Sequence, residues 1–597
     1  MKKSLKNIIK LIFNILSWIK LYVNPRQFLI IASVIVGLFA GFGVVILKLF
    51  AHAVFLLANY LDSILKLPYS NSIFPIIGIF LTVFVIQRFL DGRIEKGLSQ
   101  IMHTVARKRS LMPQKQMYSQ ILTNSLTVGF GGSAGMESPV AITGAAFGSN
   151  FAQYFKLSYK QRTLLVACGV AAATAAAFNA PIAGVLFAIE VILADVSVTA
   201  FIPIMISAAT GAIISGLLLN DNILLHFYDK QIFELNDIGF YVLLGLITGW
   251  FSVYYSRSFQ RITDYFNKLK VGPYRRATYG ALSLALLIFI VPTLFGQGYE
   301  SIKILSSSSP QELLKDTVFS DFKANPWILL LFVGMASFLK VFAVGFTLNG
   351  GGNGGNFAPS LFVGSYLGFA LSYGINQLNL VKLPVASFVL VGMAGVFSGL
   401  LHAPLTAIFL IGEITSGYSL MIPLLIVSSI SFAVSKRYEH FSMDIKKLAK
   451  KGEAFTSDKD RNVLSSIPID KVLISDYQTL SPDDTLEKLV SIISNTDQRN
   501  FAVVDSQYKI VGILDFNTVR KLVFNPYNTK YSRIKEVMLP LKNFIFYENS
   551  IYIMLEKLEL SKTDYLPIVK NGKYYGFISK MKILENYRNQ HKSMIVE

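Results

Sequence analysis

The chain has 597 residues, 53% of them hydrophobic and only 15% charged, with a formal net charge of +20. A soluble protein would carry roughly a quarter charged residues, so this composition and a mean hydropathy of +0.50 exclude an ordinary soluble globule. A single cysteine, Cys168, excludes a disulfide framework or a thiolate metal site within the chain.

In chain order, a basic segment over residues 1–27 comes first, with Lys2, Lys3, Lys6, Lys10, Lys20 and Arg26 set among Leu, Ile, Phe and Trp18. Its composition suits an interfacial helix, and with no small-residue cleavage site it does not read as a removed signal peptide. Apolar runs follow at Phe28–Phe50, Ile73–Ile86, Phe201–Leu219, Phe240–Trp250, Leu282–Leu294, Trp327–Val344, Val385–Ile411 and Leu420–Val434. Several reach the roughly 20 residues a helix needs to cross hydrocarbon. The shorter ones suit re-entrant or broken helices, tolerated only inside protein or beside water. Lys436, Arg437, Lys446, Lys447, Lys450 and Lys451 follow the last run, which places a polytopic membrane domain at 28–450. Basic flanks at both ends predict a multi-pass protein of the cell membrane with both termini cytosolic. The positive charge therefore sets topology beside a lipid partner and does not point to nucleic acid.

The membrane domain repeats itself. Gly131-Gly-Ser-Ala-Gly-Met-Glu-Ser-Pro139 and Gly351-Gly-Asn-Gly-Gly-Asn-Phe-Ala-Pro359 coincide at an offset of 220, which also aligns Gly144 with Gly364 and Gly148 with Gly368. At an offset of 223, the stretch from Ala180-Pro181 to Glu190 matches that from Ala403-Pro404 to Glu413. Duplicated halves with Gly- and Pro-interrupted segments at matching places are the best sequence pointer to a transport site. Each Gly-rich block precedes an apolar helix, with Pro139 or Pro359 near its first turn, where a missing N–H costs little. The glycines let backbone N–H groups approach a ligand, and a helix N-terminus adds positive partial charge. Two such ends aimed at one point make an anion site without a full charge, so a bound anion can also leave. Glu137 lies in the first block. A carboxylate in a membrane domain is a functional hypothesis by default, and ionised at a helix N-terminus it can take the anion's place and close the path.

Gly135-Met136-Glu137-Ser138-Pro139, Gly354-Gly355-Asn356-Phe357-Ala358-Pro359, Phe178-Asn179-Ala180-Pro181, and Tyr418 behind Glu413-Ile414-Thr415 together resemble the CLC chloride channels and proton-coupled anion exchangers. The resemblance implies a homodimer with one separate anion pathway per subunit. It makes Glu137 the gate and sets Gly135, Met136, Asn356, Phe357, Ala358 and the Tyr418 hydroxyl along the path of chloride or another small anion. The family's Gly-Ser-Gly-Ile-Pro loop has no counterpart. The best register, Glu95-Lys96-Gly97-Leu98-Ser99, puts Lys96 at the serine position with Ser99 as a stand-in. Lys96 also fits a plain loop charge. Exchangers of the family often carry a proton-relay carboxylate at the position of Val191. Valine carries no proton, which favours a chloride channel, with a proton-coupled exchanger of the same fold as the alternative. Glu190 and Glu413 read as structural.

A linker at 451–465 leads to residues 466–597, where the pattern changes. Asn500–Asp505, Ile510–Leu514 and a helix from Asn517 read as β-turn-β-α, and Asp564–Val569, Tyr574–Ile578 and a helix from Lys580 repeat the order. This resembles a tandem CBS pair. Such pairs often hold adenine nucleotides through an Asp after the last strand, but those positions are Thr518 and Lys582 here. Dimerisation and docking, with no nucleotide held in that mode and no cofactor, are therefore expected. The fold expected is an all-α polytopic membrane domain with an internal inverted duplication, followed by a small α/β tandem. A divalent-cation site would need acidic residues at the paired breaks, which hold glycines and Glu137. No triad, metal cluster or phosphate loop suggests an enzyme.

Overall fold

The structure is a computed structural model that describes residues 16–65, 70–92, 94, 96–193, 198–219, 233–307, 309–315, 317–379, 381–415, 417–450, 464, 467–496, 498–541 and 543–596. The basic residues Lys2, Lys3, Lys6 and Lys10, Glu95 and most of the linker lie outside the described residues. The chain divides into two compact units, Met1–Lys450 and Lys451–Glu597.

Among the described residues, the first unit is built of helices joined by loops, with one isolated antiparallel bridge between them. Its first half contains α1 (Pro25–Leu65), α2 (Phe74–Phe89), α3 (Ser99–Arg107), α4 (Gln116–Gly129), α5 (Glu137–Tyr154), α6 (Tyr159–Phe178), α7 (Pro181–Phe187) and α8 (Val198–Leu219). The second contains α9 (Ile238–Lys268), α10 (Pro273–Ile290), α11 (Tyr299–Leu305), α12 (Pro326–Asn349), α13 (Phe357–Gln377), α14 (Val385–Leu401), α15 (Pro404–Ile414), α16 (Met421–Tyr438) and α17 (Met443–Lys450). Among the described residues, the helices Pro25–Leu65, Tyr159–Phe178, Ala200–Leu219, Leu235–Lys268 and Pro326–Asn349 are long and apolar enough to cross a bilayer. Large apolar side chains such as Phe42 and Leu49 on α1, Leu217 on α8 and Leu331 on α12 are exposed, as a lipid-facing surface requires.

The duplication is structural as well as textual. α5 packs on α6 as α13 packs on α14, and glycines make both crossings possible. A Cβ on Gly144 would lie 2.1 Å from Gly169 O, and one on Gly364 would lie 2.2 Å from Gly392 O. Both α6 and α14 end on a left-handed residue, Asn179 at φ +54° and His402 at φ +58°. Ala-Pro then starts the next helix, because the residue before a proline is barred from helical geometry. The apolar run Val385–Ile411 is thus two helices broken at His402 and Ala403. The run Leu282–Leu294 likewise ends its helix at Ile290, before Pro292.

Glu190 and Glu413 cap each other's repeat. Glu413 accepts from the N–H groups of Ile182 (3.0 Å) and Ala183 (2.8 Å) at the start of α7. Glu190 accepts from Leu405 N–H (3.1 Å), Thr406 N–H (2.8 Å) and the Thr406 hydroxyl (2.6 Å) at the start of α15. Each carboxylate satisfies helix-terminal donors that have no partner within their own helix.

The second unit holds two β-turn-β-α modules. The first comprises α18 (Leu486–Asn495), the hairpin β2 (Asn500–Val504) and β3 (Ile510–Asp515), α19 (Phe516–Val523), α20 (Pro526–Tyr531) and α21 (Ile534–Val537). The second comprises β5 (Ile545–Phe546), α22 (Ile551–Leu560), the hairpin β6 (Tyr565–Lys570) and β7 (Lys573–Ser579), and α23 (Lys580–Val596). The modules exchange lead-in strands. β1 (Leu473–Ile474) joins β7, whereas β4 (Leu539–Pro540) joins β3. Ala502, Val504 and Ile510 share a core with Val569, Tyr574 and Phe577. At the positions singled out for a nucleotide, the Thr518 hydroxyl donates to Asp515 O, and Lys582 donates to Leu473 O at 2.8 Å.

Glu190→Ala and Glu413→Ala should each leave helix-terminal donors uncapped. Each should lower stability by about 1–2 kcal/mol, read as a fall in the thermal midpoint of the purified protein in detergent. An unchanged midpoint in both variants would remove the reciprocal cap.

Candidate functional site

The site begins with a polar stripe. Gln116, Ser119, Gln120, Thr123, Asn124 and Thr127 recur three and four residues apart on α4, and all are buried. Buried polar groups need partners, and much of this stripe finds them in the second repeat's loop. The Asn353 amide donates to Gln120 Oε1 and Thr123 Oγ1, each at 2.8 Å, and its backbone N–H donates to Thr127 Oγ1 at 3.0 Å. Asn124 Nδ2 returns a bond to Asn353 O at 2.9 Å.

With that loop held, the two Gly-rich blocks pair. Gly135 N–H donates to Gly355 O at 2.9 Å and Gly355 N–H to Gly135 O at 3.0 Å, an antiparallel bridge. Two residues beyond each glycine a helix begins, α5 at Glu137 and α13 at Phe357. The bridge therefore ties two helix N-termini together, the arrangement expected to attract an anion.

Glu137 sits in that joint and is 7% exposed. A Cβ on Gly135 would lie 2.1 Å from Glu137 Oε2 and 3.1 Å from Ala358 N, so the carboxylate shares its space with the α13 N-terminus. The other oxygen, Oε1, accepts from the Tyr299 hydroxyl at 2.9 Å. Two cavities reach the residues on either side of Glu137 in the chain, Ser138 and Met136. One, of about 760 Å³, is lined by Ser138, Gly354, Gly355, Asn356, Lys96 and Ser99, with Arg276 and Asp444 on its wall. The other, of about 550 Å³, is lined by Met136, Gly298 and Tyr299.

Lys96 Nζ donates to Gly351 O at 2.8 Å and Gly352 O at 2.7 Å, just past the C-terminal end of α12. Arg276 Nε donates to Asn349 O at that same end, at 2.6 Å. A helix C-terminus is partly negative, so it seats two cations side by side on the larger cavity's wall. α17 brings Asp444 there, and burial pushes its carboxyl up to about 6. α17 is itself held through Glu439, which accepts from Arg257 Nε at 2.7 Å and from Lys446. Burial pushes the Glu439 carboxyl up, but Lys446 and Arg257 outweigh it and hold it below the usual carboxylate range.

Gly135, Met136, Glu137, Asn356, Ala358, Lys96 and Ser99 thus come together around the joint. Two expected residues do not present side chains there. Phe357 is 1% exposed and its ring packs on Phe178, Phe187 and Phe397, because the first residue of α13 turns its side chain into the core. Tyr418 lines neither cavity. It sits in the turn between α15 and α16, 49% exposed, with its ring against Gly412. Val191 is buried in a π-helical turn, Ala188–Ile192, and also lines neither cavity. A tyrosine that does reach the site is Tyr255, fully buried, which donates to Asn356 Oδ1 at 3.1 Å.

Residues 77–436 match the family model described as voltage gated chloride channel, and residues 469–525 match the CBS domain. The chain belongs to the voltage gated chloride channel family. This CLC chain is 27% identical over 323 residues to the voltage-gated ClC-type chloride channel ClcB of Escherichia coli, spanning 53% of this chain and 71% of that one. It is 27% identical over 361 residues to the H(+)/Cl(-) exchange transporter ClcA of Vibrio cholerae, spanning 58% and 72%. Among solved structures, a slow cyanobacterial Cl-/H+ antiporter superposes with a TM-score of 0.61 at 21% identity, covering 72% of this chain and 98% of that chain. That likeness establishes the fold.

Tyr255, Tyr299 and Arg276 were missed by sequence reasoning because nothing local marks them; Tyr299 meets Glu137 across 162 positions. The α4 stripe did carry a signal, a polar face at helical spacing inside an apolar domain. Lys96→Ser in this CLC chain removes a cation from the cavity wall. A full charge about 10 Å from a monovalent anion, at an effective dielectric near 20, attracts it by at most about 1.7 kcal/mol. Burial and the neighbouring Arg276 push the Lys96 amine down to about 7, so only part of that is present at neutral pH. The chloride concentration for half-maximal flux should therefore rise, by at most roughly tenfold. An unchanged chloride dependence in the variant would place Lys96 off the path.

Proposed function

We propose that this protein conducts chloride passively through one path per subunit of a homodimer, with Glu137 as its gate. The observation that carries this reading is the carboxylate set where two tied helix N-termini meet, with Ser138 lining one cavity and Met136 another. Backbone N–H groups and helix ends supply the attraction at the joint, and partial charges of this kind hold an anion weakly enough for release. Ionised Glu137 competes for the same donors as the anion. Protonation removes its charge and opens the path. With both termini in the cytosol, the cavity walled by Lys96, Arg276 and Asp444 is the cytosolic vestibule and the Tyr299 cavity faces outward. In the vestibule, Lys96 and Arg276 raise the local anion concentration. Val191 favours passive conduction, since its buried isopropyl group offers no proton relay. The CBS-type pair serves dimerisation and docking.

Proton-coupled exchange is the second reading, favoured by one observation. Asp444 places a titratable carboxyl on the vestibule wall, on the far side of the joint from the outer cavity. The names of the Vibrio and cyanobacterial relatives accord with it.

Reconstituted protein in liposomes, with chloride flux and internal pH recorded together, separates the two. Passive conduction predicts chloride flux with no uphill proton movement, and protons driven against their gradient by chloride would overturn it. Glu137→Gln should keep the path open and leave flux nearly independent of pH between about 4 and 8, the range that brackets a carboxyl and its upward shifts. A wild-type pH profile in that variant would remove Glu137 from the gate.

A further inference from the structure

A buried lysine holds the loop that reaches the gate from outside. Lys340 lies midway along α12 and is fully buried. Its Nζ donates to Gly296 O at 3.1 Å and Leu294 O at 3.4 Å, and lies 4.5 Å from the centroid of the Phe362 ring. Burying an amine costs heavily unless it is bonded, and the compensation here comes from the loop carbonyls and the ring face.

The same loop touches the gate's surroundings at three points. Gly296 N–H donates to Gly131 O at 2.9 Å, in the first Gly-rich block. The Phe295 ring covers Gly131, where a Cβ would meet it at 1.9 Å. Tyr299, three residues beyond Gly296, donates to Glu137 Oε1. Gly298, at φ +92°, lies against the Phe362 ring, and a Cβ there would come within 2.4 Å of it. The amine thus fixes Tyr299 from two directions, through the loop carbonyls and through the ring that seats Gly298.

We propose that residues 294–299 form a latch in which Lys340 positions Tyr299, and the Tyr299 hydroxyl, bonded to the ionised Glu137, sets the pH at which the path opens. The inference rests on the reading of Glu137 as the gate. A hydrogen bond donated to a carboxylate favours its charged form, so a latched gate opens only at lower pH than an unlatched one. Lys340 is a positioning residue that acts through the loop. Charged and titratable groups around the outer cavity are Lys48 and His52 from α1, Glu300, Glu312 and Lys315. Lys96, Arg276 and Asp444 stand on the opposite cavity.

Chloride efflux from liposomes containing the full-length protein, measured against external pH, tests the latch. Tyr299→Phe should move the half-maximal pH upward by about one unit, the size expected for one hydrogen bond to a charged group. Lys340→Met, similar in length, should move it the same way, and the double variant should move it no further than the larger single shift. Adding Glu137→Gln to each background should flatten the profile, which assigns the midpoint to this carboxyl and not to His52. A folded Lys340→Met protein with the wild-type midpoint, or shifts that add in the double variant, overturns the latch. Where Lys340→Met does not fold, Phe362→Leu removes the ring that seats the amine against Gly298, and the same shift or its absence decides. A profile that stays steep in Glu137→Gln overturns the gate reading itself, so the two failures are told apart.

Discussion

Two hydrogen bonds between Gly135 and Gly355 set the geometry on which everything else in the membrane unit depends. They join the repeats at the points where α5 and α13 begin, so two half-charges of the same sign end up side by side. Such an arrangement is unfavourable when empty, and the molecule meets it with a carboxylate of its own. The same logic appears at Glu190 and Glu413, each capping a helix of the opposite repeat. A duplication supplies such pairs wherever corresponding ends of the two halves meet at their interface.

Holding this geometry inside a bilayer requires polar groups where water cannot satisfy them. The α4 stripe, Lys96 and Lys340 meet that requirement in one way, by bonding carbonyls or amides of irregular backbone. Broken helices survive at membrane depth because the freed backbone groups gain side-chain partners. The polar residues that stabilise the fold are thus the ones that shape the path, and α12 shows it most directly. Its middle carries Lys340, its C-terminal end seats Arg276 and Lys96, and the loop beyond it forms half of the bridge.

Much of this was legible in the sequence. The Gly-rich blocks, their constant offset and Glu137 stood out because backbone approach, helix starts and buried charge each demand particular residue types. The α/β tandem was legible from repeated strand and turn patterning, although the exchange of β1 and β4 between modules was not. A period of two marks a strand without naming its partner, and Leu473 pairs with Ile578 more than a hundred residues away. Tyr418 lies in a turn, where an aromatic residue has no periodicity to say which way it faces. Tyr255 and Tyr299 were invisible for the complementary reason, since each sits on an ordinary helix and gains its role only from a distant partner. Phe357 lay at the right place in the chain, but only packing against three other rings shows that its backbone, and not its side chain, faces the joint.

The central claim is that the Glu137 carboxylate occupies the place of the transported anion. Anomalous scattering from crystals of the Glu137→Gln protein grown in bromide tests it most directly. The expected result is a bromide peak over Gly135, in the space beside the start of α13 where Glu137 Oε2 now lies. Bromide bound only elsewhere, with the space over Gly135 empty, would contradict it.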